Sequence, residues 1–159
     1  MKKSKIVTHR VVLCILTALM ISFIFLNSAL DADESSLHSA GLRELINSVL
    51  HSLNINIILT ENFVRKTAHF VEFFTLGALL FATVRSFIGK LSVKILYAPL
   101  IGFVVACTDE FIQFFSPGRA CQFLDMMVDL AGILSGFIVY AVIYILVRKT
   151  VKKFGMRTA

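Results

Sequence analysis

Residues 107–136 read CTDEFIQFFSPGRACQFLDMMVDLAGILSG: two apolar runs joined by a Pro-Gly pair and interrupted by Asp109, Glu110, Gln113, Asp125 and Asp129. Pro117-Gly118 is a turn signal that stops one helix and reverses the chain, so the flanking segments form an antiparallel helical pair. Five polar side chains inside such a pair are a problem if the pair lies in lipid. There an unpaired carboxylate costs several kcal/mol, so other parts of the chain have to compensate them.

Composition places the pair in lipid. Of the 159 residues 57% are hydrophobic and 16% charged, and the mean hydropathy is +0.83; soluble domains are about 45 to 50% apolar. Four stretches, Val11–Asn27, Thr67–Phe87, Val93–Phe115 and Met126–Val147, are long and apolar enough to cross a hydrocarbon layer of about 30 Å. The predicted fold is an all-α membrane protein with four transmembrane helices. Residues 1–10 form a basic N-terminus, 11–147 the membrane domain and 148–159 a basic tail.

The net charge of +6 could suggest a nucleic-acid partner, but its distribution argues for a topology signal instead. Lys2, Lys3, Lys5 and Arg10 precede the first span, Arg85, Lys90 and Lys94 fill the link between the second and third, and Arg148, Lys149, Lys152, Lys153 and Arg157 follow the fourth. With four spans these twelve share one side, which the positive-inside rule makes cytoplasmic, with both termini inside. The expected location is a membrane that the chain crosses several times. All ten acidic residues lie outside or in the outer halves of the spans, with only Arg43, Arg65, Lys66 and Arg119 beside them. The basic start, apolar run and NSALDA also have the layout of a signal peptide. Retention of the segment keeps an even number of spans and is the reading adopted.

The outer loop, 28–62, divides in two. SALDADESSLHSAG is polar and turn-like, whereas LRELINSVLHSLNINII places Leu42, Leu45, Ile46, Val49, Leu50 and Leu53 at helical spacing. The second half is therefore an amphipathic helix that lies in the interface or caps the bundle. Cys14, Cys107 and Cys121 have no paired spacing; Cys14 and Cys107 read as buried residues, and no disulfide is expected. Pro99 punctuates the third span. Gly132 and Gly136 form a GxxxG face for close helix packing, which leaves homo-oligomerisation open.

Alternating span directions bring the isolated polar groups to one depth. Arg65, Lys66, His69 and Glu72 start the second span, Asp109, Glu110 and Gln113 lie near the end of the third, and Asp125 and Asp129 start the fourth. Asp109 lies about 9 Å from the end of its span. Arg65, His69 and Glu72 share a helical face, as do Asp109 and Gln113, and Asp125, Asp129, Gly132 and Gly136. Such faces are tolerable only against each other or an open cavity. Three arrangements fit: a structural network in which Arg65, Lys66 and Arg119 compensate carboxylates, a proton-exchanging centre of His69, Glu72, Asp109 and Glu110, or a metal site. The spacing has no HExxH-like signature, so no metal is assigned and the cofactor is unknown. A proton-coupled transporter is disfavoured, because the inner halves of the spans continue no relay.

RKTAHFVEFFTLGALL and DEFIQFFSPGRACQFLDMMVDLAGILSG together resemble the VanZ-like family of small bacterial membrane proteins. The first matches an Arg-Lys-x-x-His-x-x-Glu start to a span; the second matches the succession Asp-Glu-x-x-Gln, Pro-Gly-Arg and Asp-x-x-x-Asn/Asp-x-x-Gly-x-x-x-Gly. SFIFLNSAL adds a weaker match, and Phe73 stands where an aromatic, often Tyr, is usual. The resemblance implies a multi-span envelope protein; a family member is associated with low-level resistance to teicoplanin, a lipid-tailed glycopeptide. The partners expected are a membrane lipid or a lipid-tailed envelope compound. The alternative is an integral-membrane enzyme acting on a lipid or lipid-linked envelope precursor.

Overall fold

The computed structural model describes residues 2–87, 91–119 and 122–155. Five helices follow one another: α1 (Lys2–Ala29), α2 (Ala32–Ser52), α3 (Glu61–Phe87), α4 (Leu91–Phe115) and α5 (Phe123–Gly155). Segments of α1, α3, α4 and α5, namely Ile6–Ala29, Glu61–Phe87, Ile95–Phe115 and Phe123–Val151, are long and apolar enough to span a membrane. Their outer surfaces carry Leu19, Leu26, Val104, Phe111, Ile138 and Leu146, each more than half exposed. In water these would be a large unsatisfied apolar surface; acyl chains cover it without loss. Lys90, Cys121 and Arg157 lie outside the described residues.

Helix α3 is the hub, touching every other helix, and its most extensive partner is α5. The two run parallel: Lys66 meets Asp125, His69 meets Asp129, Phe81 meets Tyr140 and Arg85 meets Tyr144, in ascending order along both. Glycines allow this approach. A Cβ at Gly136 would lie 1.8 Å from the Phe74 carbonyl oxygen, and one at Gly77 would lie 2.1 Å from that of Ile133. The Gly132/Gly136 face is thus filled by α3 of the same chain. Helix α1 runs antiparallel to α3, with Asn27 opposite Glu72 and Thr17 hydrogen-bonded to Thr83. Helices α4 and α5 form the antiparallel pair expected around the turn, where Gly118 has a φ of 73°.

Helix α2 corrects one expectation. The stretch read as turn-like is helical from Ala32 onward, because Asp31 caps it by accepting the Glu34 N–H at 2.8 Å, and Asp33 and Glu34 complement the N-terminal dipole. At its other end Asn54 takes a left-handed φ of 57° and Ile55 N–H bonds the Leu50 carbonyl, a Schellman stop. Asn47 then holds the return strand of chain through the Leu59 N–H at 3.0 Å. A smaller correction follows. Cys14 faces outward instead of being buried, while Cys107 is half-buried. As expected of the third span, α4 runs through Pro99.

The core is layered. Toward the basic ends of the helices it is apolar, built on Ile24, Phe73, Leu76, Leu80, Phe81, Val84, Ala98, Val105, Ala106 and Ile133. Toward the end that carries α2 it becomes polar.

Glycine spacing gives a test. Gly136→Ala should lower stability in detergent by about 1 to 3 kcal/mol through overpacking, whereas Gly41→Ala, with nothing within 4 Å of its Cβ, should raise it by about 0.5 to 1 kcal/mol. Thermal unfolding of both variants checks the contrast; equal effects would contradict the α3–α5 contact.

Candidate functional site

The parallel register of α3 and α5 places two polar rungs one turn apart. Lys66 Nζ lies 2.5 Å from Asp125 Oδ1 at the partly exposed rim. One turn deeper, His69 Nδ1 lies 3.7 Å from Asp129 Oδ1, with Asp129 only 1% exposed. Helix α4 supplies the third side. Asp109 is fully buried, and its Oδ2 accepts a hydrogen bond from Gln113 Nε2 at 2.8 Å, one turn along the same helix. His69, Asp109 and Asp129 offer side-chain atoms that all lie within 4.8 Å of one another. Asp129 lies about 9 Å along α5 from its first residue, and Asp109 about the same distance from the last residue of α4, so the depths agree.

Helix α1 contributes residues that sequence reasoning missed. Asn27 Nδ2 donates to Glu72 Oε1 at 3.0 Å, and the buried Ser28 lies 3.4 Å from Gln113 Nε2 through its hydroxyl. Its carbonyl accepts the Ser116 hydroxyl at 2.8 Å. Polar residues in NSALD, at the end of an otherwise apolar run, were the available signal.

The candidate residues do not all converge. Glu110 is one residue past Asp109 and therefore points about 100° around the helix; its Oε2 accepts the Gln122 N–H at 3.0 Å, so it holds the α4–α5 connection instead of joining His69. Arg119 has Asp109, Glu110 and Asp31 near enough to attract it, but its hydrogen bonds go to uncharged oxygens. Its Nη1 donates to the Ser28 carbonyl at 3.2 Å and lies 3.4 Å from that of Asn27, while Nη2 donates to the Ser35 hydroxyl. The guanidinium thereby ties the α4–α5 turn to the junction of α1 and α2, where Ala32 N–H also meets the Pro117 carbonyl at 3.0 Å. Burial, together with the nearby Arg65 charge, pulls the Arg119 pKa below its ordinary value, while Asp109, Glu110 and Asp31 pull it back. Arginine stays charged throughout the physiological range even so.

Two recesses meet at His69. A small one of about 10 Å³ is lined by Lys66, His69, Gln113, Asp125, Val128 and Asp129. A larger one of about 130 Å³ opens on the other side between α1, α2 and α3, with Asn27, Ser39, Arg65, His69 and Glu72 in its wall.

The profile of the VanZ/LLP1 family matches residues 13–145. The chain belongs to that family. The match takes in the second and third spans whole, most of the first and fourth, and every site residue described above, and it makes the chain a VanZ-family membrane protein with several membrane-crossing helices. No curated protein and no solved structure matches it significantly.

Arg119→Ala should lower stability by about 2 kcal/mol, the scale of charge-assisted hydrogen bonds lost with acceptors left buried. Hydrogen exchange of residues 28–36 should speed up with it. Arg119→Lys should restore little, because an ammonium cannot span three acceptors as the planar fork does.

Proposed function

We propose that this VanZ-family protein sits in the bacterial plasma membrane with both termini in the cytoplasm. Its polar site faces outward and engages lipid-tailed envelope compounds, thereby altering susceptibility to lipoglycopeptides such as teicoplanin. The observation that carries this reading is a pair of adjacent cavities. The recess holding Asn27, Ser39, Arg65, His69 and Glu72 adjoins an apolar groove of about 360 Å³ between α2 and α3, walled by Leu42, Ile46, Leu59, Phe63 and Val71. Leu42, Val64, Ala68 and Glu72 line both.

Such a pair matches an amphiphile. A hydrocarbon tail gains about 0.8 kcal/mol for each methylene buried, while Arg65 offers a cationic fork to an anionic head and Glu72 Oε2, buried without a hydrogen-bond partner among the described residues, offers an acceptor to a hydroxyl. The placement of basic residues at the opposite end of the helices supports the orientation. Helix α2, lying over the groove, supplies the cover that the sequence reading gave it.

The His69–Asp129 contact supports a second reading, an enzyme acting on a lipid or lipid-linked precursor with His69 as the proton-transfer group and Glu72 or Asp109 beside it. Lipid analysis of a deletion strain separates the two: accumulation of one precursor favours the enzyme, an unchanged lipid profile the binding role.

Ala68→Phe places a ring where groove and recess join. Cells carrying this variant at wild-type membrane levels should lose the change in teicoplanin susceptibility that the wild-type protein confers, while susceptibility to a glycopeptide without a lipid tail stays the same throughout. Retention of the full teicoplanin effect by Ala68→Phe would sink the groove as its basis. Cysteines placed in residues 31–61 should be labelled in intact cells and those in 85–94 spared; the reverse pattern would invert the orientation.

A further inference from the structure

We infer that His69, Asp109 and Asp129 form a binding site for one divalent first-row transition ion, Zn²⁺ or Mn²⁺, at the floor of the polar layer. The three side chains come from α3, α4 and α5, and their ligating atoms lie within 4.8 Å of one another. Ligand atoms around such an ion stand about 3 to 3.5 Å apart, given bonds of about 2.0 to 2.2 Å. Closing the difference takes movement of His69 and Asp129 toward the Asp109 carboxylate that Gln113 holds. One imidazole with two carboxylates is a donor set suited to Zn²⁺ or Mn²⁺ and poor for soft ions.

Proximity of acidic groups alone would be weak ground. The independent observation is that Asp129, 1% exposed, has neither carboxylate oxygen hydrogen-bonded, and that Asp109, fully buried, has Oδ1 without a partner, counted among the described residues. Buried polar atoms are almost always satisfied; here Asp129 Oδ1 has only its 3.7 Å contact with His69 Nδ1, and Asp129 Oδ2 and Asp109 Oδ1 have no hydrogen bond, which leaves lone pairs for a cation beside the imidazole. The fourth oxygen is occupied in the way that ligating carboxylates usually are: Gln113 donates to Asp109 Oδ2 at 2.8 Å, which fixes the carboxylate and leaves Oδ1 to ligate.

Charge points the same way. Lys66 is engaged with Asp125 at the rim, and Arg119 donates to carbonyl and hydroxyl oxygens, so its attraction for Asp109 acts without a direct ion pair. A protonated His69 would balance only one of the two buried carboxylates, whereas a divalent ion with neutral His69 balances both. Three protein ligands leave at least one coordination position open, and the recess of about 10 Å³ beside His69, Gln113 and Asp129 has room for about one water molecule there. The inference stands apart from the amphiphile reading, since it rests on the deeper trio and not on the groove.

The test uses the full chain purified in detergent, stripped with chelator and dialysed against Zn²⁺ or Mn²⁺. Elemental analysis should find about one equivalent retained per chain, with a raised unfolding temperature that chelator reverses. Asp129→Asn, which keeps shape and removes charge, should weaken retention by at least about tenfold, while Glu44→Gln, on the exposed face of α2, should leave it unchanged. Should Asp129→Asn fail to accumulate, pulsed EPR of the Mn²⁺-loaded wild-type protein decides the matter: imidazole nitrogen coupling that disappears in His69→Gln supports the site. Retention of less than about a tenth of an equivalent, equal retention by Asp129→Asn, or a Mn²⁺ signal without nitrogen coupling overturns it.

Discussion

The close parallel contact between α3 and α5 is the constraint on which the rest depends. Two helices that cross a membrane in the same direction cannot be joined by a short turn, so their adjacency has to come from packing alone. Here the packing is backbone to backbone at Gly77, Gly132 and Gly136. In lipid there is no hydrophobic drive to press helices together, and dispersion at short range does the work. The approach fixes the rotation and the axial register of each helix. Once Gly132 lies against Phe70 and Gly136 against Phe74, Lys66 has to fall beside Asp125 and His69 beside Asp129. The ion pair and the His–Asp contact are thus consequences of glycines one and two turns further along the same face.

That dependence marks what the sequence could disclose. The four spans, the Pro117-Gly118 reversal and the common depth of the polar groups follow from length, apolar runs and direction, all of which are local. The shared face of His69 with Arg65 and Glu72 follows from helical periodicity. The parallel register does not, because it is set by contacts between segments some sixty residues apart. Nor does the division of labour between Asp109 and Glu110: adjacent residues point to different neighbours, and which neighbour lies on each side is a tertiary fact. The hydrogen-bond partners of Arg119 were hidden for a related reason. A cation near carboxylates suggests an ion pair, but the α1 C-terminus presents unbonded carbonyls at Asn27 and Ser28, and a helix end in the bundle needs those satisfied. The start of α2 was legible, however, in Asp31 followed three residues later by Glu34.

The layering of the core limits what the polar site can do. One to two turns below His69 and Asp129 lie Phe73, Leu76 and Ile133, none more than 1% exposed, and the polar pair beyond them, Thr17 and Thr83, is bonded to itself and to the Leu13 carbonyl. A proton or ion arriving from the α2 end therefore meets a packed apolar floor. That geometry disfavours transport across the bilayer and favours work done on a molecule that approaches from one side.

On the proposed reading, such a molecule has two routes in. From water it would have to pass Lys66 and Asp125 at the rim. From the lipid it can slide between α2 and α3, where the groove walled by Phe63, Val71 and Ile46 leads to Glu72 and, past Ala68, to His69. The second route keeps a tail in an apolar setting throughout and brings only the head to the polar layer, so the cost of desolvating a charged head falls where Arg65 and His69 can offset it. On the proposed reading, the amphipathic helix α2 beside the groove admits amphiphiles by their tails and sorts them by their heads. The buried carboxylates, costly for a bundle that needs only to hold together, are explained when something cationic or proton-donating meets them there.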